Sequence, residues 1–473
     1  MCYGYDALNR IRHIRYGNGV ETAYAYDGDG NVRTLETRAG KTVLLSFAYR
    51  YDGNGNRTAK TGTQATLGGI ISGSNVLDIS YAYDVRGQLL EERRNGASVC
   101  YAYDKAGNRI RKTDAQGEIR YLYNAKNQLV EEESPADRKQ FSYDRQGGII
   151  EEKNLAGIRL FSYNNRHQQT RVETETGNVQ ENRYDAEGLR FELLENGRRT
   201  SFVYHDGELL QEEGREEQGT SYHLGAGMEA FRRGQELSYY HRDEQLSTVF
   251  VTDGQGEIRN SYQYDAFGIP LETTEQLNNR IRYTGQQYDD VTGQYYLRAR
   301  YYNPVAGRFM QEDVYQGDGL NLYAYCGNNP VVYDDPSGYA STSIGKACPP
   351  QGKISESVDG SGTSSTTAGF DDWLGKGATD NKVYFGMKDG TAQYTGITKQ
   401  TKNARLNQHN NAGKAFDDLD IQYEGLTRNQ ARAIEQYYIE NGPNALNKIN
   451  SISPNNKYYQ DAMNWAKQYL GVE

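Results

Sequence analysis

The stretch YAYDKAGNRIRKTDAQGEIRYLYNAKNQLVEEE, residues 101 to 133, decides the fold. Aromatic and small or polar residues alternate up to Tyr103, the chain turns at Asp104-Lys105-Ala106-Gly107-Asn108, and alternation resumes with charged residues before the figure restarts at Tyr121. Period-2 alternation on both sides of a Gly/Asn turn able to supply positive φ reads as a β-hairpin. The unit recurs: YGYDALNRI (3 to 11), YAYDGDGNV (24 to 32), YRYDGNGNR around Tyr51, YAYDVRGQL (81 to 89), YLYNAKNQL (121 to 129), FSYDRQGGI (141 to 149), FSYNNRHQQ (161 to 169) and NRYDAEGLR (182 to 190). From Asp84 to Asn164 the period is about 20 residues, after a longer insertion between Asp52 and Asp84 that includes TGTQATLGGIISGSN. One hairpin cannot bury its aromatic face alone, so successive hairpins must pair edge to edge into a long sheet.

This pattern resembles the YD repeats of Rhs and teneurin-like proteins. The resemblance implies hairpins wound into a β-shell around a C-terminal cargo, here over residues 1–240. Residues 241–339 look like the Rhs-associated core that closes such a shell. They carry HRDEQLSTVFVTDGQGEIRNSYQYDAFG, YTGQQYDDVTGQYYLRARYYNPVAGRFMQED and LNLYAYCGNNPVVYDDPSGY. In that family the core ends at an Asp-Pro-x-Gly motif, after which the chain is cut by its own aspartates. The motif here is Asp335-Pro336-Ser337-Gly338, which places the expected scissile bond at or next to Tyr339-Ala340. The resemblance assigns self-cleavage to Arg300, Asp313 and Asp335, with Asp334 as a rival for Asp335. Two carboxylates held close cannot both ionise, so one donates a proton while the other activates water, and an arginine holds one of them charged. Val314 stands where relatives often carry Pro, and Tyr339 where Leu is common.

Composition agrees with a turn-rich β protein: 41 Tyr and 52 Gly against 9 Pro and 2 Trp among 473 residues. The net charge of -10 argues against nucleic-acid binding by the chain as a whole, and no apolar run is long enough to span a bilayer. The four cysteines, Cys2, Cys100, Cys326 and Cys348, have no metal-like spacing and read as free thiols. MCYGYDALNR lacks a signal-peptide layout, so export by another route, or a longer parent chain, is expected.

After Tyr339 the character changes. Residues 340–380 are rich in Ser, Thr and Gly and read as a flexible linker. Residues 381–473 form a small α/β domain; from 382 onward it holds 11 Lys and Arg against 9 Asp and Glu, a change of sign that permits a nucleic-acid partner. The expected elements are a hairpin (382 to 385 and 392 to 395), a helix near 402 to 412, a strand at 419 to 424, a helix opened by Thr427 and closed by Gly442, and a last helix near 455 to 470.

In KVYFGMKDGTAQYTGITK (382 to 399) Tyr384 and Tyr394 stand ten residues apart, followed in order by Arg405, His409, Glu435 and Asn447. That order is similar to the GIY-YIG nucleases, with Lys-Val-Tyr in place of Gly-Ile-Tyr and Thr395 in place of the usual Ile or Val. The resemblance implies that Tyr384 and Tyr394 position or deprotonate the attacking water, and that Arg405 clamps the scissile phosphate. His409, one helical turn on, serves as base or hydrogen-bond partner. Glu435 holds one divalent cation, expected to be Mg²⁺, and Asn447 is the expected amide, with Asn444 and Asn450 as alternatives.

The function expected from the whole is an interbacterial toxin, secreted or delivered at the cell surface, whose released endonuclease cuts DNA, or RNA, in the target-cell cytoplasm. Its expected partners are a cognate immunity protein and delivery machinery. The alternative is an adhesin or carbohydrate-binding protein whose C-terminal module binds without catalysis. An area argument adds that 13 hairpins, or roughly 26 strands, provide about 2,900 Å² of sheet, about half of what a 93-residue cargo needs. The shell is therefore expected to be incomplete or part of a longer one.

Overall fold

The computed structural model describes residues 1–67, 76–214, 216–314, 321–343, 374, 381–411, 414, 416–441, 451–452 and 458–470. The chain divides into two compact units, 1–354 and 355–473. Most of the expected linker, with Cys348, Gly442, Asn444, Asn447 and Asn450, lies outside the described residues. Among the described residues Cys2 and Cys100 are free thiols.

The first unit is built on a 26-stranded sheet running from Cys2–Tyr5 to Pro270–Glu275. Strands pair with their sequence neighbours in antiparallel register, as Ala97–Tyr103 does with Arg109–Asp114 and that strand with Gly117–Tyr123. The repeat's chemistry explains the uniformity. At the turn after Tyr103, Asp104 Oδ1 accepts the N–H groups of Ala106 and Asn108, each at 2.9 Å, and its other oxygen takes Asn108 Nδ2. Gly107 at φ 78° then donates to the Asp104 carbonyl at 3.1 Å. The aspartate is an Asx-turn acceptor, and the glycine supplies the left-handed residue. Asn127 and His167 take that position in two repeats, at φ 61° and 64°.

In several repeats the tyrosine before the turn aspartate or asparagine bonds back to the preceding repeat; the buried Tyr103 hydroxyl is an exception, with no such bond among the described residues. Tyr123 donates its hydroxyl to the Arg109 carbonyl (2.8 Å), Tyr143 to Leu129 (2.9 Å), Tyr163 to Ile149 (2.9 Å) and Tyr184 to Gln169 (2.6 Å). The aromatic two positions earlier points inward: Tyr101, Tyr121 and Phe161 are buried. The Tyr-x-Tyr-Asp signature thus encodes a core residue, an inter-repeat hydrogen bond and a turn in four letters.

The sheet curls on itself within this unit. Ile14, Val20, Leu35 and Phe47 share one core with Tyr239, Val249, Phe250 and Ile258, and Asn18 Nδ2 donates to Thr252 Oγ1 at 2.9 Å. Buried ion pairs cross the same seam, Arg57 to Glu244 at 2.5 Å and Lys60 to Asp243 at 2.9 Å.

Residues 279–314 and 321–335 cap the repeat turns. They fold into a four-stranded sheet (Gln287–Asp289, Gln294–Leu297, Arg300–Asn303, Arg308–Phe309) with a tyrosine core of Tyr283, Tyr295, Tyr302 and Tyr325. Successive turns dock on it: Asn328 Nδ2 donates to the Gly107 carbonyl (2.8 Å), Arg308 to that of Asn127 (2.6 Å), Tyr323 to that of Gly147 (2.9 Å) and Arg298 to that of Gly207 (3.0 Å). Arg190, fully buried, pairs with Asp289 and donates to Tyr301 Oη at 3.0 Å, and Arg280 adds pairs to Glu195 and Glu212.

The second unit is a three-stranded antiparallel sheet, β1 (Asn381–Lys388), β2 (Thr391–Thr398) and β3 (Asp418–Leu426) in order β2-β1-β3. It carries helices α1 (Lys402–Asn411), α2 (Arg428–Asn441) and α3 (Tyr459–Leu470). Asp389 at φ 49° and Gly390 at φ 74° make the two-residue β1–β2 turn, the primed geometry that suits strand twist. Thr427 caps α2: its N–H donates to Gln430 Oε1 (2.9 Å) and its Oγ1 accepts the Gln430 N–H (3.2 Å), a capping box. Strands and helices fall where the sequence places them; both hairpin strands and β3 extend past the expected ends.

Candidate active site

In the second unit the β1–β2 register sets Tyr384 opposite Gly396 and Gly386 opposite Tyr394, so both tyrosines occupy one face on a diagonal. Their ring centroids are 6.3 Å apart. The glycines make this possible: a Cβ on Gly396 would lie 2.4 Å from Tyr384 Oη and 2.7 Å from Tyr394 Cε1, and one on Gly386 would lie 2.7 Å from Phe416. Each Tyr-x-Gly triplet is a ring followed, two residues on, by a gap for its neighbour.

Helix α1 crosses this face and delivers two groups one turn apart to the Tyr384 hydroxyl. Arg405 Nε donates to it at 3.0 Å, and His409 Nε2 lies 2.5 Å from it. Burial, with the positive charges of Arg405 and Lys414, pushes the His409 imidazole down to about 4. His409 is therefore neutral at pH 7, and the direction of its bond with the Tyr384 hydroxyl follows the imidazole tautomer: with Nε2 unprotonated, Tyr384 donates to it. Burial raises the Tyr384 and Tyr394 phenols, so both are protonated at pH 7.

Glu435 on α2 completes the group. Ser451 Oγ donates to its Oε2 at 2.5 Å. Burial raises its carboxyl, opposed by that hydrogen bond and by Arg432, Arg405 and Arg428. Its charge acts on Tyr384, Tyr394 and Lys414. The structure thus gathers five of the six sequence candidates, Tyr384, Tyr394, Arg405, His409 and Glu435; Asn447 lies outside the described residues. Sequence reasoning missed Ser451, Phe416 and Lys414. Phe416 floors the aromatic group, with ring centroids 5.3 Å from His409 and 5.8 Å from Tyr394. All three sit in connecting segments, where no periodicity marks them. Among the described residues no group of three or more His, Cys, Asp or Glu side chains converges. A lone carboxylate suits Mg²⁺, which retains much of its water and accepts one or two carboxylates.

The first unit holds a second constellation. Arg300, packed over the Phe309 ring at 3.5 Å, bridges Asp313 (2.8 Å) and Asp335 (3.4 Å) through Nη2, and all three are buried. Its Nε donates to the Gly338 carbonyl. Asp335 Oδ1 accepts the N–H groups of Gly338 (2.8 Å), Tyr339 (3.2 Å) and Ala340 (3.3 Å). Gly338, at φ 74°, touches backbone: a Cβ there would lie 2.4 Å from the Leu297 carbonyl. Asp334 faces away from Arg300's pair. It accepts from Thr342 Oγ1 at 2.6 Å, and residues 333–334 pair with 342–343. Burial first, then Asp335, pushes Asp334 up to about 6, and burial raises Asp335 against the pull of Arg300. Of the two adjacent aspartates, Asp335 meets the arginine; Asp334 closes the loop.

Comparison with known proteins bears on the first unit. The teneurin YD-shell model matches residues 66–331 and the RHS repeat model residues 5–43. The tRNA3(Ser)-specific nuclease WapA of Bacillus spizizenii is 32% identical over 365 residues, covering 71% of this chain and 12% of the relative. Double-stranded DNA deaminase toxin A of Burkholderia cenocepacia is 32% identical over 170 residues (34% of this chain, 12% of the relative). Toxin protein Tse5 of Pseudomonas aeruginosa is 33% identical over 103 residues (22% and 8%). The chain thus spans about a tenth of the length of these curated relatives. Among solved structures, TcdB2-TccC3-Cdc42 aligns over 71% of this chain and 21% of that one, at 18% identity and a TM-score of 0.38.

Proposed function

This chain belongs to the teneurin YD-shell family, and from that premise we propose that it is a delivered interbacterial toxin whose shell carries a metal-dependent, GIY-YIG-type endonuclease in residues 381–473. The observation that carries the reading is the convergence of Tyr384, Tyr394, Arg405, His409 and Glu435 on one face of a small α/β unit. Arg405 neutralises charge developing on the phosphate. The Tyr384 hydroxyl takes a proton from the attacking water as it passes its own to His409 Nε2; the water oxygen bonds phosphorus and the leaving oxygen departs. Glu435 would hold the Mg²⁺ ion, which when bound stabilises the leaving oxygen. The toxin acts in the cytoplasm of a target cell, and the producer is protected by an immunity protein.

The first unit would release this cargo by cutting itself beside Gly338. Arg300 would polarise the Gly338 carbonyl while pairing with both Asp313 and Asp335, which places two carboxylates beside the proposed scissile bond. DNA is the proposed substrate. RNA is the second reading, favoured by relatives named as tRNA nucleases. The test is incubation of the full chain with plasmid DNA, and separately with tRNA, in Mg²⁺. Wild type should cut one of them and Glu435→Ala neither; if both substrates stay intact with wild type, the nuclease reading is lost and a binding module remains.

A further inference from the structure

Lys414 belongs to no motif, yet it stands in the site. Its Nζ lies 3.5 Å from the centroid of the Tyr394 ring. The segment bearing it is pinned: the Lys414 N–H donates to the His409 carbonyl at the end of α1 (3.1 Å). Two residues on, Phe416 exchanges two hydrogen bonds with Asn410 of that helix (2.8 and 3.0 Å). Lys414 therefore keeps a fixed place beside Arg405 and His409.

The surroundings are short of negative charge. Burial and Arg405 disfavour the ammonium, with Glu435 opposing, and among the described residues no carboxylate pairs with it directly. A half-buried cation held beside a second cation, with a tyrosine face as its close partner, is an arrangement that an anion would complete.

We propose that Lys414 is a phosphate-binding residue of the nuclease site, its ammonium contacting the scissile or adjacent phosphodiester of the nucleic acid from its place over the Tyr394 ring. The assignment rests on the nuclease reading. It makes the cations of the site a pair, Arg405 at Tyr384 and Lys414 over Tyr394. Glu435 and its cation then serve the same phosphate.

The full chain, its Lys414→Met variant and its Lys414→Arg variant should be titrated with a DNA and an RNA oligonucleotide in Ca²⁺ over a range of salt, and assayed for cleavage in Mg²⁺. Methionine keeps an unbranched side chain of similar length but removes the ammonium, and with it both the proposed phosphate contact and the contact with the Tyr394 ring; the salt slope tells the two losses apart. Losing one phosphate contact lowers the slope of log affinity against log salt by about one, and arginine should restore it. A purely structural role would lower thermal stability in the methionine variant and leave the slope unchanged. Equal slope and equal affinity in wild type and Lys414→Met overturn the proposal while leaving the nuclease reading intact if cleavage persists. A chain that binds but does not cut sinks the nuclease reading alone, and the slope comparison still decides Lys414. Binding of neither oligonucleotide overturns both.

Discussion

Gly396→Ala tests the site by adding a single methyl group. The new Cβ would sit 2.4 Å from Tyr384 Oη, 2.6 Å from Cζ and 2.7 Å from Tyr394 Cε1, where ordinary contact begins at 3.4 Å. Relief requires the Tyr384 hydroxyl to retreat by about 1 Å in a fully buried position. It cannot do so and keep its bonds at 2.5 Å to His409 and 3.0 Å to Arg405. A 1 Å displacement of a reacting group costs about 100-fold in rate, and overpacking of this kind costs about 1–3 kcal/mol of stability. Gly396 is not among the glycines with positive φ, so backbone strain adds nothing to the effect. The assay is single-turnover cleavage of whichever nucleic acid the wild-type chain cuts, with saturating substrate, beside a thermal melt of the full chain. Gly28→Ala, whose Cβ meets nothing within 4 Å, is the control. Cleavage by Gly396→Ala within about twofold of wild type would refute the claim that the Tyr384–His409–Arg405 geometry does the chemistry.

Other outcomes follow from the same contacts. Glu435→Gln should remove cleavage at every Mg²⁺ concentration while the chain still melts cooperatively; restoration by excess Mg²⁺ would show that Glu435 does not hold the cation. In a proton NMR titration His409, identified by the loss of its signal in His409→Gln, should titrate near pH 4. Its folded value is depressed, so the stability it contributes is present above its ordinary 6.5 and lost as pH falls through about 4. Asp334 has the opposite sign: raised from 3.8 to about 6, its contribution is full below about 4 and lost as pH rises through 6, a swing of about 3 kcal/mol. Asp334→Asn should flatten that dependence in a pH series of denaturant melts, while Asp335→Asn or Arg300→Met should leave the chain uncut at Gly338–Ala340 by mass spectrometry. Asp289→Ala leaves Arg190 buried without its carboxylate, and should lower stability by about 3–5 kcal/mol in the same melts.

What the sequence made legible depended on how local the cause was. A repeat turn is specified within five residues, an Asx acceptor at one end and a left-handed residue near the other, so Tyr-x-Tyr-Asp-x-x-Gly-Asn could be read directly and the strand count of 26 with it. The Tyr384–Tyr394 face is nearly as local, since a two-residue Asp-Gly turn fixes the register that places each ring over the other strand's glycine. The residues that were missed act across distance. Ser451 reaches Glu435 from 16 positions away and Lys414 meets Tyr394 across 20. Neither spacing has a period, and each residue type is ordinarily a solvated surface group. The Asp334–Asp335 ambiguity is of the same kind. Adjacent residues on an extended segment point to opposite sides, so one must face Arg300 and the other must not, and that choice follows from the Arg300 strand 35 residues earlier. Two aspartates of identical chemistry thus receive different tasks, one holding the loop and one meeting the arginine. It is this pair that the Asp334→Asn and Asp335→Asn variants separate: the first should alter the stability of the loop against pH, and the second should stop cleavage.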